Sequence, residues 1–139
     1  MPYEIAFDEP VGCYFVVWTG TIRLIDWQAF RKDIAGRPWF RPGLNGLHDH
    51  RRATFTITRS EILDYATTQE LLKSAFGVGR AANVMRDQKG VALVRDFALV
   101  AGGDQRMIEG FTDYQAAKAW LELPTDYVAP FGTPEGEAE

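Results

Sequence analysis

Residues Arg80 to Leu121 alternate in a way that leaves few folds open. The apolar run Ala81–Met85 reads as a strand, Lys89–Ala101 as a helix, Arg106–Phe111 as a second strand and Asp113–Glu122 as a closing helix. Two strands separated by a helix of this length cannot form a hairpin. They are expected to lie parallel, with the helix crossing one face of their sheet. In Lys89–Ala101 the side chains of Val91, Val94, Phe97, Ala98 and Ala101 share one face, with Leu93 and Val100 beside it and Arg95 and Asp96 on the rim. Gly102 and Gly103 serve as its stop. In the closing helix Ala116, Ala117, Trp120 and Leu121 form the expected buried stripe. Thr112 and Gln115 offer a capping box, and Pro124 a stop.

The preceding residues extend the alternation backwards. Tyr3–Phe7 reads as a short strand, Asp8-Glu9-Pro10 as a turn, and Val11–Trp18 as a longer strand closed by Gly20. Its β-branched and aromatic residues place it inside a sheet, and the short turn pairs it antiparallel with the first strand. Asp26 is a candidate cap for a helix reaching Ala35, with Trp27, Phe30 and Ile34 on one face and Gly36, Arg37 and Pro38 as its end. Trp39 and Phe40 are expected to pack under a sheet edge. Leu44–His50, thin in apolar residues (Leu44, Leu47), reads as a strand partly because of the β-α alternation around it. Thr54–Thr58 is β-prone, and Thr58 with Glu61 forms a capping box for a helix carrying Ile62, Leu63, Tyr65 and Ala66. Thr67 with Glu70 is a second such box, so the segment to Phe76 is one bent helix or two short ones. Gly77 and Gly79 end it.

A chain of 139 residues supports one domain with a real core. Apolar residues make up 46% and aromatics 13%, enough to fill that core. The charge of −4 sits in the segment Pro124–Glu139, which holds four acidic residues and no Lys or Arg; the 15 basic residues of 1–123 meet 19 − 4 = 15 acidic ones. A neutral body argues against a general nucleic-acid binder. Cys13 is the only cysteine, which excludes an intrachain disulfide and a cysteine metal cluster. No stretch approaches the roughly 18 apolar residues of a membrane span, and the N-terminus lacks the pattern of a signal peptide. The expectation is a cytoplasmic protein with domain 1–123 and an acidic tail 124–139, solvated from about Phe131.

The order strand, strand, helix, strand, helix, strand, helix, strand, helix, together with Phe111, Asp113, Ala117, Trp120 and Leu121 at the end, resembles the SpoIIAA-like or STAS-like family of small bacterial proteins. Asp49-His50-Arg51 stands where that family tends to have Asp-Leu-Arg. The resemblance covers about Tyr3 to Leu123. It implies an α/β fold: a single mixed, mostly parallel β-sheet of about five strands flanked by about four helices, as in anti-sigma-factor antagonists. It further implies a non-enzymatic regulatory or binding domain that works by recognising a protein partner. Phospho-regulated antagonists carry an Asp-Ser-Ser-Gly-like acceptor at the start of the helix after the third strand; this chain has Arg52 to Ser60 there instead.

Open α/β sheets bind ligands beyond the carboxyl ends of their parallel strands. That rule singles out Asp49, Arg51, Arg52, Thr54, Arg86 and Asp87, and the helix start adds Thr58 and Ser60. Arg52 and Arg86 offer an anion clamp, against the plainer reading of surface pairs with Asp49 and Asp87. Thr58 and Ser60 offer phosphate acceptors, against a simple capping role for Thr58. His48 and His50 would share a strand face, but a metal site needs a third ligand and Asp49 points the other way. No metal, cofactor or catalytic residue is expected. The alternative function is binding of a lipid-like or anionic small molecule in a pocket near Trp27, Trp39 and Phe40. A homodimer would pack through a helix face, since the charged, short first strand discourages edge pairing.

Overall fold

The computed structural model describes residues 2–70, 77–101 and 106–131. The strands are β1 (Tyr3–Asp8), β2 (Cys13–Ile22), β3 (Asn45–Phe55), β4 (Gly79–Val84) and β5 (Arg106–Phe111). The helices are α1 (Leu24–Ala35), α2 (Arg59–Glu70), α3 (Gln88–Ala101) and α4 (Tyr114–Trp120). All five strands form one sheet in the order β1-β2-β3-β4-β5. β1 pairs antiparallel with β2, and every other pairing is parallel. The crossover expected between Ala81–Met85 and Arg106–Phe111 is therefore present, with Ala81 opposite Ile108 and Val84 opposite Phe111.

β2 is the spine of the core, because it is buried on both faces. Tyr14, Val16 and Trp18 point towards α1 and α2, with Phe30, Ile34 and Ile62. Cys13 and Phe15 point the other way, towards Tyr114, Ala117 and Leu121 of the α4 region. Burying each large apolar side chain contributes about 1.5–3 kcal/mol, so two buried faces explain why so apolar a strand runs inside the sheet. α3 lies on the same face as α1 and α2: Leu93 and Phe97 join their cluster, and Arg59 of α2 pairs with Asp96 at 2.9 Å. Gly110 brings α3 close to β5, since a Cβ there would press on Val91 and Val94.

Several boundaries differ from the sequence reading. Val11 belongs to a short 3-10 turn, Glu9–Val11, and β2 begins after Gly12, whose φ of 60° favours glycine. β2 does not close at Gly20, because Thr19–Ile22 continue the parallel ladder with Arg52–Phe55. β3 likewise runs to Phe55 instead of stopping at His50. α1 is capped by Arg23, not Asp26; Asp26 sits in the first turn, and its carboxylate accepts the Arg23 backbone N–H at 2.8 Å. Thr58 and Glu61 do form their box. Thr67 does not start a new helix: its hydroxyl donates to Leu63 O, four residues back in a continuous turn. Gly79 opens β4 instead of ending α2. Residues 71–76, where that helix reading ended, Gly102 and Gly103, and the chain end beyond 131 lie outside the described residues.

α4 is capped by Asp113, which accepts from Gln115 N, rather than by Thr112. Ala116 is exposed, and Tyr114 takes its place in the buried stripe. Residues past Pro124 return to the sheet. The buried ammonium of Lys118 donates to Thr125 O at 3.3 Å and Tyr127 O at 2.7 Å. The Tyr127 ring stacks near Phe15, and its hydroxyl donates to Asp8. Trp39 stacks on Phe7 of the edge strand at 4.5 Å, as the loop reading expected.

Candidate functional site

A cavity of about 120 Å³ lies between the sheet and helices α1, α2 and α3. Its floor is the α1-side face of β2, β3 and β4: Trp18, His48, His50, Ala81 and Asn83. Its roof is aromatic and aliphatic, with Trp27 and Phe30 from α1, Ile62 and Tyr65 from α2, and Leu93 and Phe97 from α3. The local reason is simple. β4 carries only small or slender side chains here (Ala81, Asn83), while the helices meet above it through large rings that cannot all fill the same point.

Strand periodicity aims both histidines at this cavity, with their rings stacked at 5.8 Å. Their surroundings differ. Trp18 Nε1, which can only donate, gives its hydrogen to His48 Nδ1 at 3.3 Å. His48 Nε2 therefore carries the ring hydrogen and meets the Tyr14 hydroxyl at 3.4 Å. Both His48 nitrogens are thus engaged in holding β2 to β3, and neither is offered to a metal.

His50 has one nitrogen engaged. Its Nε2 lies 3.3 Å from Asn83 Oδ1. The Asn83 amide nitrogen donates to Ala81 O and Glu109 O, each at 3.4 Å, which fixes its oxygen towards His50. His50 Nδ1 is buried and has no protein partner among the described residues; the same is true of the Tyr65 hydroxyl. Burial lowers the His50 pKa from 6.5 to about 4, against weaker opposing effects of Asn83 and Asp49. Burial also raises Tyr65 to about 12. Both side chains are uncharged at neutral pH. Among the described residues no cluster of three metal-ligating side chains occurs, and no helix is long and apolar enough to cross a membrane.

The opposite sheet face holds Asp49, Arg51 and Arg52 among the residues singled out from sequence. The β2–β3 register slips there: Val17 pairs with Asp49, but Thr19 pairs with Arg52. β3 therefore carries one extra residue opposite Trp18, a β-bulge. The slip lets Arg52 line the same shallow groove as Asp49, beside Tyr114. Arg51 donates twice to Asp49, at 2.9 and 2.8 Å, and lies over the Tyr114 ring at 5.2 Å. Arg86 does not meet Asp87; it donates to Arg51 O and Ala53 O on the open edge of β3. Asp87 accepts from Gly90 N at the start of α3. Thr58 is occupied by its capping box, and Thr54 and Ser60 are exposed.

No protein-family model and no curated protein matches the chain. Among solved structures it is similar to the crystal structure of an uncharacterized protein of the DUF3478 family, from Shewanella loihica PV-4, described as having a SpoIIAA-like fold. The TM-score is 0.57, over 86% of this chain and 91% of that one, at 15% identity. The chain has a SpoIIAA-like fold.

Within this SpoIIAA-like sheet Asp49, Arg51 and Arg52, singled out from sequence, lie on one face, and the cavity lies on the other. Trp27 lines the cavity, but Trp39, stacked on Phe7, and Phe40 do not. Tyr65 and Asn83 were not foreseen as site residues. Asn83 is the polar residue inside the apolar run Ala81–Met85, a signal that a buried strand there has a polar partner to meet.

Proposed function

We propose that this protein is a non-enzymatic SpoIIAA-like domain whose primary task is to hold a small, largely apolar molecule between its sheet and helices α1–α3. The observation that carries this reading is a ring-lined cavity of about 120 Å³ between the sheet and three helices, with His48, His50, Asn83 and Tyr65 among its few polar lining residues. Binding sites combine an apolar wall with a small number of placed polar groups in this way. The non-enzymatic part is supported by His48, whose two nitrogens both serve the sheet, so the chain's other histidine, His50, would have to act alone.

The test is ligand-induced stabilisation. Small aromatic probes in excess should raise the melting temperature by mass action, and Ala81→Leu, which fills the floor of the cavity, should remove the shift. An absence of any shift up to the solubility of benzene and toluene would reject the reading.

A second reading is partner recognition through Asp49, Arg51, Arg52, Thr54, Thr58, Ser60, Arg86 and Asp87, or the same face within a homodimer. The β3 bulge favours it, because Asp49 and Arg52 line one groove and Arg51 is bonded to Asp49 there. Arg52→Glu should abolish co-purification of a partner retained by the wild type while leaving the fold intact. Unchanged co-purification would remove this reading.

A further inference from the structure

We infer that the molecule held between the sheet and helices α1–α3 is a small monocarboxylate, with its apolar body in the cavity and its carboxylate on Arg31 at the rim; this rests on the cavity being a binding site. Trp27, Phe30 and Arg31 of α1 all line the cavity, because residues three and four apart share a helix face. An apolar side chain is the ordinary choice on such a face. Arg31 is instead the one charged side chain in the lining among the described residues, and no Asp or Glu joins it there. Its charge is felt by the Tyr65 hydroxyl on α2, where it opposes the stronger effect of burial. The α1–α2 side of the cavity is therefore positive.

Arg31 is half-buried, as is an arginine whose stem lies along an apolar wall while its head reaches water. A guanidinium carries five N–H donors in a planar fork, so it can meet a carboxylate through two of them and keep another partner. The rest of the lining decides the rest of the ligand. An anion carried deep among rings and aliphatic side chains would lose its water with no cation to replace it. The charge thus belongs at Arg31 and the uncharged body inside. An amine would set a like charge beside Arg31. A phosphate monoester would bring close to two charges against one cation in the lining. Size narrows the class further. An apolar cavity of about 150 Å³ accepts benzene, so about 120 Å³ suits a single ring or a compact branched chain.

Phenylacetate and phenylacetamide, equal in heavy atoms and different in charge, are the probes, with toluene as the apolar body alone. Titrated by calorimetry into the full-length chain at neutral pH and low salt, phenylacetate should bind about tenfold more tightly than phenylacetamide, the scale of one charge-assisted hydrogen bond. The gap should shrink as salt is added. Arg31→Gln should erase it and leave toluene binding unchanged, and Arg31→Lys should keep part of it. Phenylacetamide binding as tightly as phenylacetate would overturn the carboxylate inference, while toluene binding would leave the cavity a site. A phenylacetate preference that survives Arg31→Gln would overturn it too. Binding of none of the three would overturn both readings.

Discussion

His50 donates its Nε2 hydrogen to Asn83 Oδ1 at 3.3 Å, across the step from β3 to β4. This bond and the burial around it act in opposite directions on the proton equilibrium of the ring, and burial wins. The consequence is a pH-dependent stability. Above pH 6.5 neither the folded nor the unfolded chain protonates this ring, so His50 exacts no cost. Between 6.5 and about 4 the unfolded chain takes up the proton and the folded chain does not. Stability should fall with pH across that window and level off with a loss of about 3 kcal/mol. Urea titrations from pH 7.5 to 4 should show the decline, and His50→Gln should flatten it. Asp33, held below its usual range chiefly by Arg37, adds its own loss only at lower pH, as its protonation begins to favour the unfolded chain.

Gly46 lies under the Tyr14 ring, and a Cβ there would overlap it. Gly46→Ala should cost about 1–3 kcal/mol by forcing that ring aside. Because the Tyr14 hydroxyl also meets His48, the displaced ring should disturb the cavity floor. Tyr14→Leu in the same chain should restore part of the loss, and chemical denaturation of the single and double variants measures it.

Arg86 covers the β3 edge where β4 has ended. The β3–β4 ladder runs only from Gly46 to Asp49, and beyond it Arg86 donates to the carbonyls of Arg51 and Ala53. Arg86→Ala should cost about 1–2 kcal/mol. It should also expose a strand edge of the kind that recruits other strands. Sedimentation of the variant against the wild type should show self-association at high concentration.

Lys118 fastens the segment after Pro124 to α4 through two backbone carbonyls. Lys118→Met keeps the aliphatic bulk and orphans both acceptors. The expected loss is about 1–3 kcal/mol. Hydrogen exchange should speed up at Tyr127 and at Cys13–Phe15, which it covers, before it changes at α1.

The architecture was legible because its signals are local or repetitive. The run Ala81–Met85, the 3.6-residue stripe of Lys89–Ala101 and the Thr58–Glu61 box each specify their own element, and their order forces the crossover. The boundaries that shifted depend on distant partners. β3 extends to Phe55 because β2 is there to pair with it, and nothing in Arg51-Arg52-Ala53 announces that. The pairing of His48 and His50 on one strand face was visible from their spacing, but which nitrogen is engaged depends on Trp18, Tyr14 and Asn83, each about 30 or more residues away. Such contacts leave no trace in periodicity. Trp39 and Phe40 were read with Trp27 as one aromatic group, yet the loop carries them to the opposite end of β2.

The extra residue in β3 makes chain length itself part of the chemistry. With it, His48 and His50 turn to the cavity while Asp49 and Arg52 share the groove on the other side, and Ala53 and Phe55 still turn inward. Deleting Arg51 would close the bulge into a regular ladder and keep Ala53 and Phe55 inward, whereas deleting Thr54, beyond the bulge, would send Phe55 outward or drag the loop before α2 out of place. Loss of Thr54 should therefore be tolerated far less well than loss of Arg51.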